Sequence, residues 1–219
     1  MQVTILGNPE YGELSVRLDP GETITTEAGA MSRMSPSLEM RSRVMGGVVS
    51  GLGRKLFGGE SFFVAEYGGA RGGQLSLSPG LPGTVCHQRI SGDVLWLTAG
   101  SFLACTAGVT VRARFGGVKA LFSGEGATLL RAEGEGDLWF NAYGAVVERE
   151  LDGELTVDTG HVVAWEPSIN YTIAGFGGLK STFFSGEGLT MKFSGRGKVW
   201  LQSRNLPATG GWLSPFCVG

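Results

Sequence analysis

With 219 residues the chain is long enough to bury a sizeable core without help from a metal or a disulfide. Its 18 basic and 20 acidic residues leave a formal charge of −2, which gives no polyanion-binding surplus and argues against a nucleic-acid partner. Glycine is the outlier at 38 residues, with no collagen period, and Val, Leu, Phe and Trp recur between the glycines; this predicts many short strands joined by tight turns.

Taken in order, residues 1–20 read as two short strands, with Leu14, Val16 and Leu18 on one face of the second. Asp19-Pro20-Gly21-Glu22 is a turn, Thr23 to Glu27 is extended again, and Ser37 to Val44 alternates polar and apolar. Residues 45–57 break the pattern: Val48, Val49, Leu52, Leu56 and Phe57 suit one short helix, although Gly47, Gly51 and Gly53 inside it weaken it. From Ser61 onward the chain reads as strand after strand. The strands end at Gly68-Gly69, Pro79-Gly80, Ser91-Gly92-Asp93, Gly134-Glu135-Gly136 and Gly195-Arg196-Gly197. Trp96, Phe102, Trp139, Phe140, Trp165, Phe183, Phe184 and Trp200, with Leu129, Val163 and Leu189, are the expected core. The pattern is lost in residues 206–219, where Trp212 and Phe216 sit in a Pro/Gly-rich tail.

A motif recurs through the strands. Phe122-Ser123-Gly124-Glu125-Gly126 returns as Phe184-Ser185-Gly186-Glu187-Gly188, and a looser copy is Phe57-Gly58-Gly59-Glu60-Ser61. Three units of roughly 60 residues, at about 10–90, 91–152 and 153–205, are the simplest account. Each is too small to bury both faces of its hairpins, so the three should pack on one another as a single all-β domain over 1–205, a β-roll with Gly59, Gly124 and Gly186 at equivalent turns.

Several of these stretches resemble one known family. They are Glu27-Ala28-Gly29-Ala30-Met31, Gly59-Glu60-Ser61-Phe62-Phe63, Ala99-Gly100-Ser101-Phe102-Leu103-Ala104, the two Phe-Ser-Gly-Glu-Gly copies, and Val157-Asp158-Thr159-Gly160-His161-Val162-Val163-Ala164. The family is the bacterial and archaeal one that includes the "altered inheritance of mitochondria" biogenesis proteins, and the resemblance runs from about residue 10 to 205. It implies a fold similar to the tryptophan RNA-binding attenuation protein, a short double-stranded β-helix repeated within the chain. It brings no enzymatic activity, ligand or catalytic residue to carry over. Its mitochondrial members are linked to inner-membrane organisation. The tail after Asn205 has no counterpart in it.

Residue by residue, the chemistry on offer is thin. Glu60, Glu125 and Glu187 would hold a cation if three units brought them together, but a carboxylate at a glycine turn is fully used by accepting backbone N–H bonds, and that reading is preferred. Cys86 and His87 are adjacent on a strand and point to opposite faces, so they make no dyad; His161 is the other histidine of the two in the chain. Cys86 and Cys105 read as small core residues. Gly51-Leu52-Gly53-Arg54-Lys55 lacks Walker spacing. Arg33, Arg41, Arg43, Arg54 and Lys55 make the first unit locally basic, which is read as ordinary solvated charge ahead of an anionic-surface contact.

The expectation is therefore a non-enzyme with no catalytic, cofactor-binding or metal-ligating residue to name and no cofactor: a scaffold or interaction protein that self-associates through β edges and apolar patches. Its partners would be further copies of itself, with a protein or a membrane surface beside them, and nucleic acid is not expected. The alternative is an RNA- or small-ligand-binding module, by analogy with the fold. Three cysteines without CxxC spacing, and a start with no basic and apolar leader pattern, predict a cytoplasmic protein.

Overall fold

The computed structural model of the chain describes residues 1–44, 63–115, 128–175 and 189–217. Within them the protein is all-β, with fifteen strands and one α-helix. The first seven strands are β1 (Gln2–Leu6), β2 (Glu13–Leu18), β3 (Thr23–Glu27), β4 (Met31–Met34), β5 (Glu39–Val44), β6 (Phe63–Gly68) and β7 (Gly73–Leu77). Then come β8 (Val85–Thr98), β9 (Phe102–Thr106), β10 (Val109–Phe115), β11 (Thr128–Asn141) and β12 (Val146–Asp158). The last are β13 (Val162–Trp165), β14 (Ile169–Gly175) and β15 (Leu189–Gln202), followed by helix α1 (Leu206–Leu213). Short 3₁₀ turns at Ala99–Ser101 and Thr159–His161 lead into β9 and β13.

Two antiparallel sheets result. The smaller runs β1-β2-β7-β4; the larger runs β12-β15-β13-β8-β11-β9-β3-β6-β5, with β10 added to β11 and β14 to β15. In β2 the period is two, as expected: Leu14, Val16 and Leu18 are buried and the residues between them are not.

The larger sheet is buried on both faces along its middle, and this explains its contiguous apolar runs. In β11, Leu138 and Phe140 enter one core with Leu97, Phe102, Leu130 and Val163. Trp139 between them points the other way, into a core with Leu14, Leu75, Leu77 and Ala104, which the smaller sheet closes. In β8, Leu95 and Leu97 join the first core, while Trp96 lies against a third, built by Leu129, Trp165, Met191 and Phe193. Of the expected core, Phe102, Trp139, Phe140, Trp165, Trp200, Leu129, Val163 and Leu189 are buried. Trp96 is half-buried, stacked on Trp165 with ring centroids 6.1 Å apart, and Phe183 and Phe184 lie outside the described residues.

Several expected turns are instead interior parts of long strands. Ser91-Gly92-Asp93 lies inside β8, where the register against β11 shifts; Gly92, with φ +80°, absorbs the extra residue as a β-bulge. Gly134 and Gly136 lie inside β11, and Gly195 and Gly197 inside β15. The reason is a change of partner. One side of β11 pairs with β8 throughout, while its other side pairs with β10 up to Gly134 and with β9 from Leu138. The same handover occurs on β15, from β14 up to Gly195 to β13 from Val199, with β12 along the opposite side. Glycine is needed there because the strand bends at positive φ, +119° at Gly134 and +129° at Gly195.

The order long strand, 3₁₀ turn, short strand, strand, long strand occurs in β8 to β11 and again in β12 to β15. The motif copies that suggested three units, with Gly59, Gly124 and Gly186, lie outside the described residues, as does the helix expected at 45–57. The described α-helix is in the tail instead, where Asn205 caps it by accepting from the Ala208 N–H at 2.7 Å and Pro207 opens it.

Candidate functional site

The carboxylates Glu60, Glu125 and Glu187 lie outside the described residues, as do Arg54 and Lys55. Of the other basic residues, Arg33 makes a two-pronged ion pair with Glu13, and Arg41 sits 3.8 Å from Glu39. The thiols of Cys86 and Cys105 behave as core atoms, while Cys217 is exposed. Burial pushes Cys105 up to about 12, and burial, helped by the charge of Glu148, pushes Cys86 up to about 11. Cys86 and His87 do diverge: Cys86 packs on the central core, while His87 faces outward, 2.8 Å from Asp137 Oδ1 and stacked on Trp139. Asp137 also accepts from Arg89 at 2.9 Å. His161 donates from Nδ1 to the Gln202 carbonyl at 2.7 Å and accepts from Asn205 Nδ2 at 3.1 Å, so both ring nitrogens are committed to fixing the end of β15 against the start of the tail. Among the described residues no group of three or more His, Cys, Asp or Glu side chains could hold a metal ion.

A cavity that sequence reasoning did not single out lies where three strands end. Its lining comes from Glu27 at the end of β3, Ala28, Gly29 and Ala30 in the turn that follows, Gly80 and Leu81 between β7 and β8, Gly100 in the 3₁₀ turn, and Asn141 at the end of β11. The topology explains the meeting. In the sheet β9 lies between β3 and β11, antiparallel to both, so the turn that starts β9 stands beside the last residues of its neighbours. Two strand spacings put β3 and β11 about 10 Å apart, so Glu27 and Asn141 flank the turn with a gap between them. The cavity is about 280 Å³ and is lined mainly by apolar and backbone atoms.

Two polar groups in this lining are unusual. Burial pushes the Glu27 carboxyl up to about 7. Asn141 is 6% exposed, and its Oδ1 is one of two buried side-chain polar atoms without a hydrogen-bond partner among the described residues; the other is Trp165 Nε1. Glu27-Ala28-Gly29-Ala30 and Ala99-Gly100-Ser101 are two of the stretches that carry the family resemblance, so the sequence did mark both walls. Nothing in it marked Asn141, a lone polar residue at the end of an apolar strand.

The second surface feature is the tail. Leu206, Trp212, Leu213 and Phe216 are exposed, at 55%, 68%, 43% and 72%, and the Trp212 and Phe216 rings lie 5.7 Å apart. No residue of α1 is buried. It is tethered by the Asn205 cap and by a 3.1 Å hydrogen bond between the Tyr143 hydroxyl and Thr209 Oγ1. No helix among the described residues is long and apolar enough to cross a membrane.

These features define an all-β protein of two antiparallel sheets with a strand-end cavity and an exposed apolar C-terminal helix. The chain belongs to the family described as mitochondrial biogenesis AIM24, which it matches over residues 3–204. It is 28% identical over 225 residues to an uncharacterised protein of Streptococcus pyogenes serotype M6, covering 99% of this chain and 91% of that protein. It is also similar to the crystal structure of a Streptococcus pyogenes protein solved by a structural genomics consortium, with 27% identity, a TM-score of 0.84, and coverage of 98% of this chain and 99% of the other.

Proposed function

We propose that this protein is a non-enzymatic interaction protein that self-associates through its C-terminal helix, in a reducing compartment such as the cytoplasm that suits its three free thiols. The observation that carries this reading is α1. An eight-residue helix containing Gly210 and Gly211 is a poor helix in isolation, because nucleation is costly and each internal glycine costs about 1 kcal/mol relative to alanine. It nevertheless presents Leu206, Trp212 and Leu213, with Phe216 just beyond, to solvent. A second copy that covers these groups supplies the burial such a helix needs, and exposed apolar patches mark interaction sites. Edge-to-edge pairing is the weaker route. The long outer strand β12 carries Glu148, Glu150, Asp152 and Glu154, a charge density that resists pairing with another chain.

What supports the non-enzymatic part is that His161 is engaged in holding the tail and Cys105 is packed in the core. The test is sedimentation velocity at micromolar concentration on the whole chain and on a chain ending at Asn205. The whole chain is expected to run as a closed oligomer. The shortened one should shift to smaller species with an unchanged β signal by circular dichroism. A whole chain that sediments as a monomer refutes self-association.

A further inference from the structure

We infer that the outer face of β10 and β11 is a binding site for a phosphate monoester, held by Arg112, Arg114 and Arg131. The inference stands apart from self-association through α1. Its first support is the pairing register. Elsewhere in the described sheets, charged residues that stand directly opposite one another are of opposite sign: Arg41 faces Glu66, Arg89 faces Asp137, Lys198 faces Glu150 and Arg196 faces Asp152. Arg112 of β10 departs from this, because its partner across the ladder is Arg131 of β11. Directly opposed residues have Cβ atoms about 4.5–5.5 Å apart, where like charges repel and destabilise the pair. Val109 and Val111 enter the central core with Leu130 and Ala132, so Arg112, Arg114 and Arg131 all lie on the other face of this hairpin. Arg112 and Arg114 are exposed.

The second support is the charge balance of that face. Its acidic side chain is Glu133, opposite Thr110, and Glu133 pairs with Arg131 at 2.7 Å. Among the described residues neither Arg112 nor Arg114 has an ion-pair partner. Three guanidinium groups against one carboxylate leave the face positive in a chain whose total charge is −2. A phosphate monoester carries about −1.5 to −2 near neutral pH and three acceptor oxygens, and the planar fork of arginine matches pairs of those oxygens. A carboxylate brings one charge and two oxygens, so it satisfies less of the face. Thr110, on the same face, adds a hydroxyl donor.

Protection of a sheet edge accounts for only part of this arrangement. Charge on an outer strand such as β10 resists pairing with another chain. Arg131 has no such task, since β11 is paired on both sides, with β10 and with β8. Beyond Arg131 the same row continues with Trp96 of β8 and Trp165 of β13, which belong to the third core. Arg131 therefore stands at the border between that core and solvent, oriented by Glu133 and facing a second guanidinium.

The experiment is a titration at pH 8 and constant ionic strength, followed by NMR of the arginine Nε–H groups on the whole chain. Sodium phosphate is the probe, with sodium acetate and sodium chloride as controls. Saturable shifts at Arg112, Arg114 and Arg131 are expected, with phosphate bound about tenfold more tightly than acetate. Arg112→Thr should weaken phosphate binding at least about tenfold. Because bound phosphate also relieves the repulsion, it should raise the urea midpoint of the native chain and not that of the variant. Cosedimentation with phosphatidylcholine vesicles, with and without phosphatidic acid, identifies the source of the group. Retention on the phosphatidic acid vesicles that is lost in Arg112→Thr assigns the site to a lipid headgroup, and phosphate binding without such retention assigns it to a soluble phosphate ester. An equal response to phosphate, acetate and chloride, or no saturable shift at the three arginines, overturns the proposal. The titration uses the native chain, so it decides the matter even if the variant does not fold.

Discussion

Glu27 and Glu148 pull the stability of this protein in opposite directions as pH changes, and each can be read at a single residue. The folded Glu27 carboxyl titrates at about 7, against an ordinary value of 4.5. Between those values the folded chain holds a proton that the unfolded chain releases. The contribution of Glu27 is therefore fully present below about pH 4.5 and lost as pH rises through 7. Glu27→Gln is expected to stabilise the chain at pH 8 by about 1–2 kcal/mol, a figure discounted for partial exposure, with the gain vanishing near pH 4. Urea midpoints of both chains across pH measure this; a variant that is less stable at pH 8 contradicts it. Glu148 behaves in the reverse sense. The Lys198 ammonium, 2.8 Å away, holds its carboxyl below the usual range, and the Trp200 indole N–H donates to it at 2.9 Å. Its stabilisation is present above about 4.5 and lost as pH falls. Glu148→Gln should cost under about 1 kcal/mol at pH 7 and flatten the acid side of the same curve.

Among the elements, the long strands carry the clearest test, because Gly134 and Gly153 have nearly the same backbone but different surroundings. Gly134 has φ +119° and Gly153 φ +123°. A Cβ at Gly134 would run into the Gly108 carbonyl oxygen, whereas one at Gly153 would meet nothing within 4 Å. Gly153→Ala should cost only the strain of the backbone, about 1–2 kcal/mol, and Gly134→Ala should cost more, about 3 kcal/mol, since β10 must move. Equal losses in urea unfolding would show that the handover between β10 and β9 tolerates a side chain. The same glycines show what the sequence could and could not disclose. Period-two alternation in β2 and the aromatic positions of β8, β11 and β15 were legible, because local pattern dictates them. Gly-x-Gly reads locally as a turn. That it is a bend within one strand depends on which strands lie on its two sides, a non-local fact. The cavity was half-legible for the same reason: the glycines and Glu27 stand in recognisable stretches, while Asn141 becomes informative only once β9 is known to separate β11 from β3. The helical tail was missed because Gly210, Gly211 and Pro207 all speak against a helix except at its first turn, where Pro207 sits.

For the whole molecule, a net charge of −2 and an exposed apolar tail predict an assembly held by apolar contact. Its association constant should stay level or rise between low and high salt, because screening weakens charge pairing and not burial. A steep fall, measured by sedimentation at the two salt concentrations, would point to charged contacts instead. The alternating burial along β8 and β11 has a further consequence, for how the chain opens. Neighbouring residues of one strand belong to different cores, so no core can be released while the others stay closed. Leu138, Trp139 and Phe140 would have to leave two of them in a single event. Amide protons in the middle of β11 should then exchange with solvent only when the entire fold opens, with one common rate ceiling, rather than in the stepwise order of a stack of separable units.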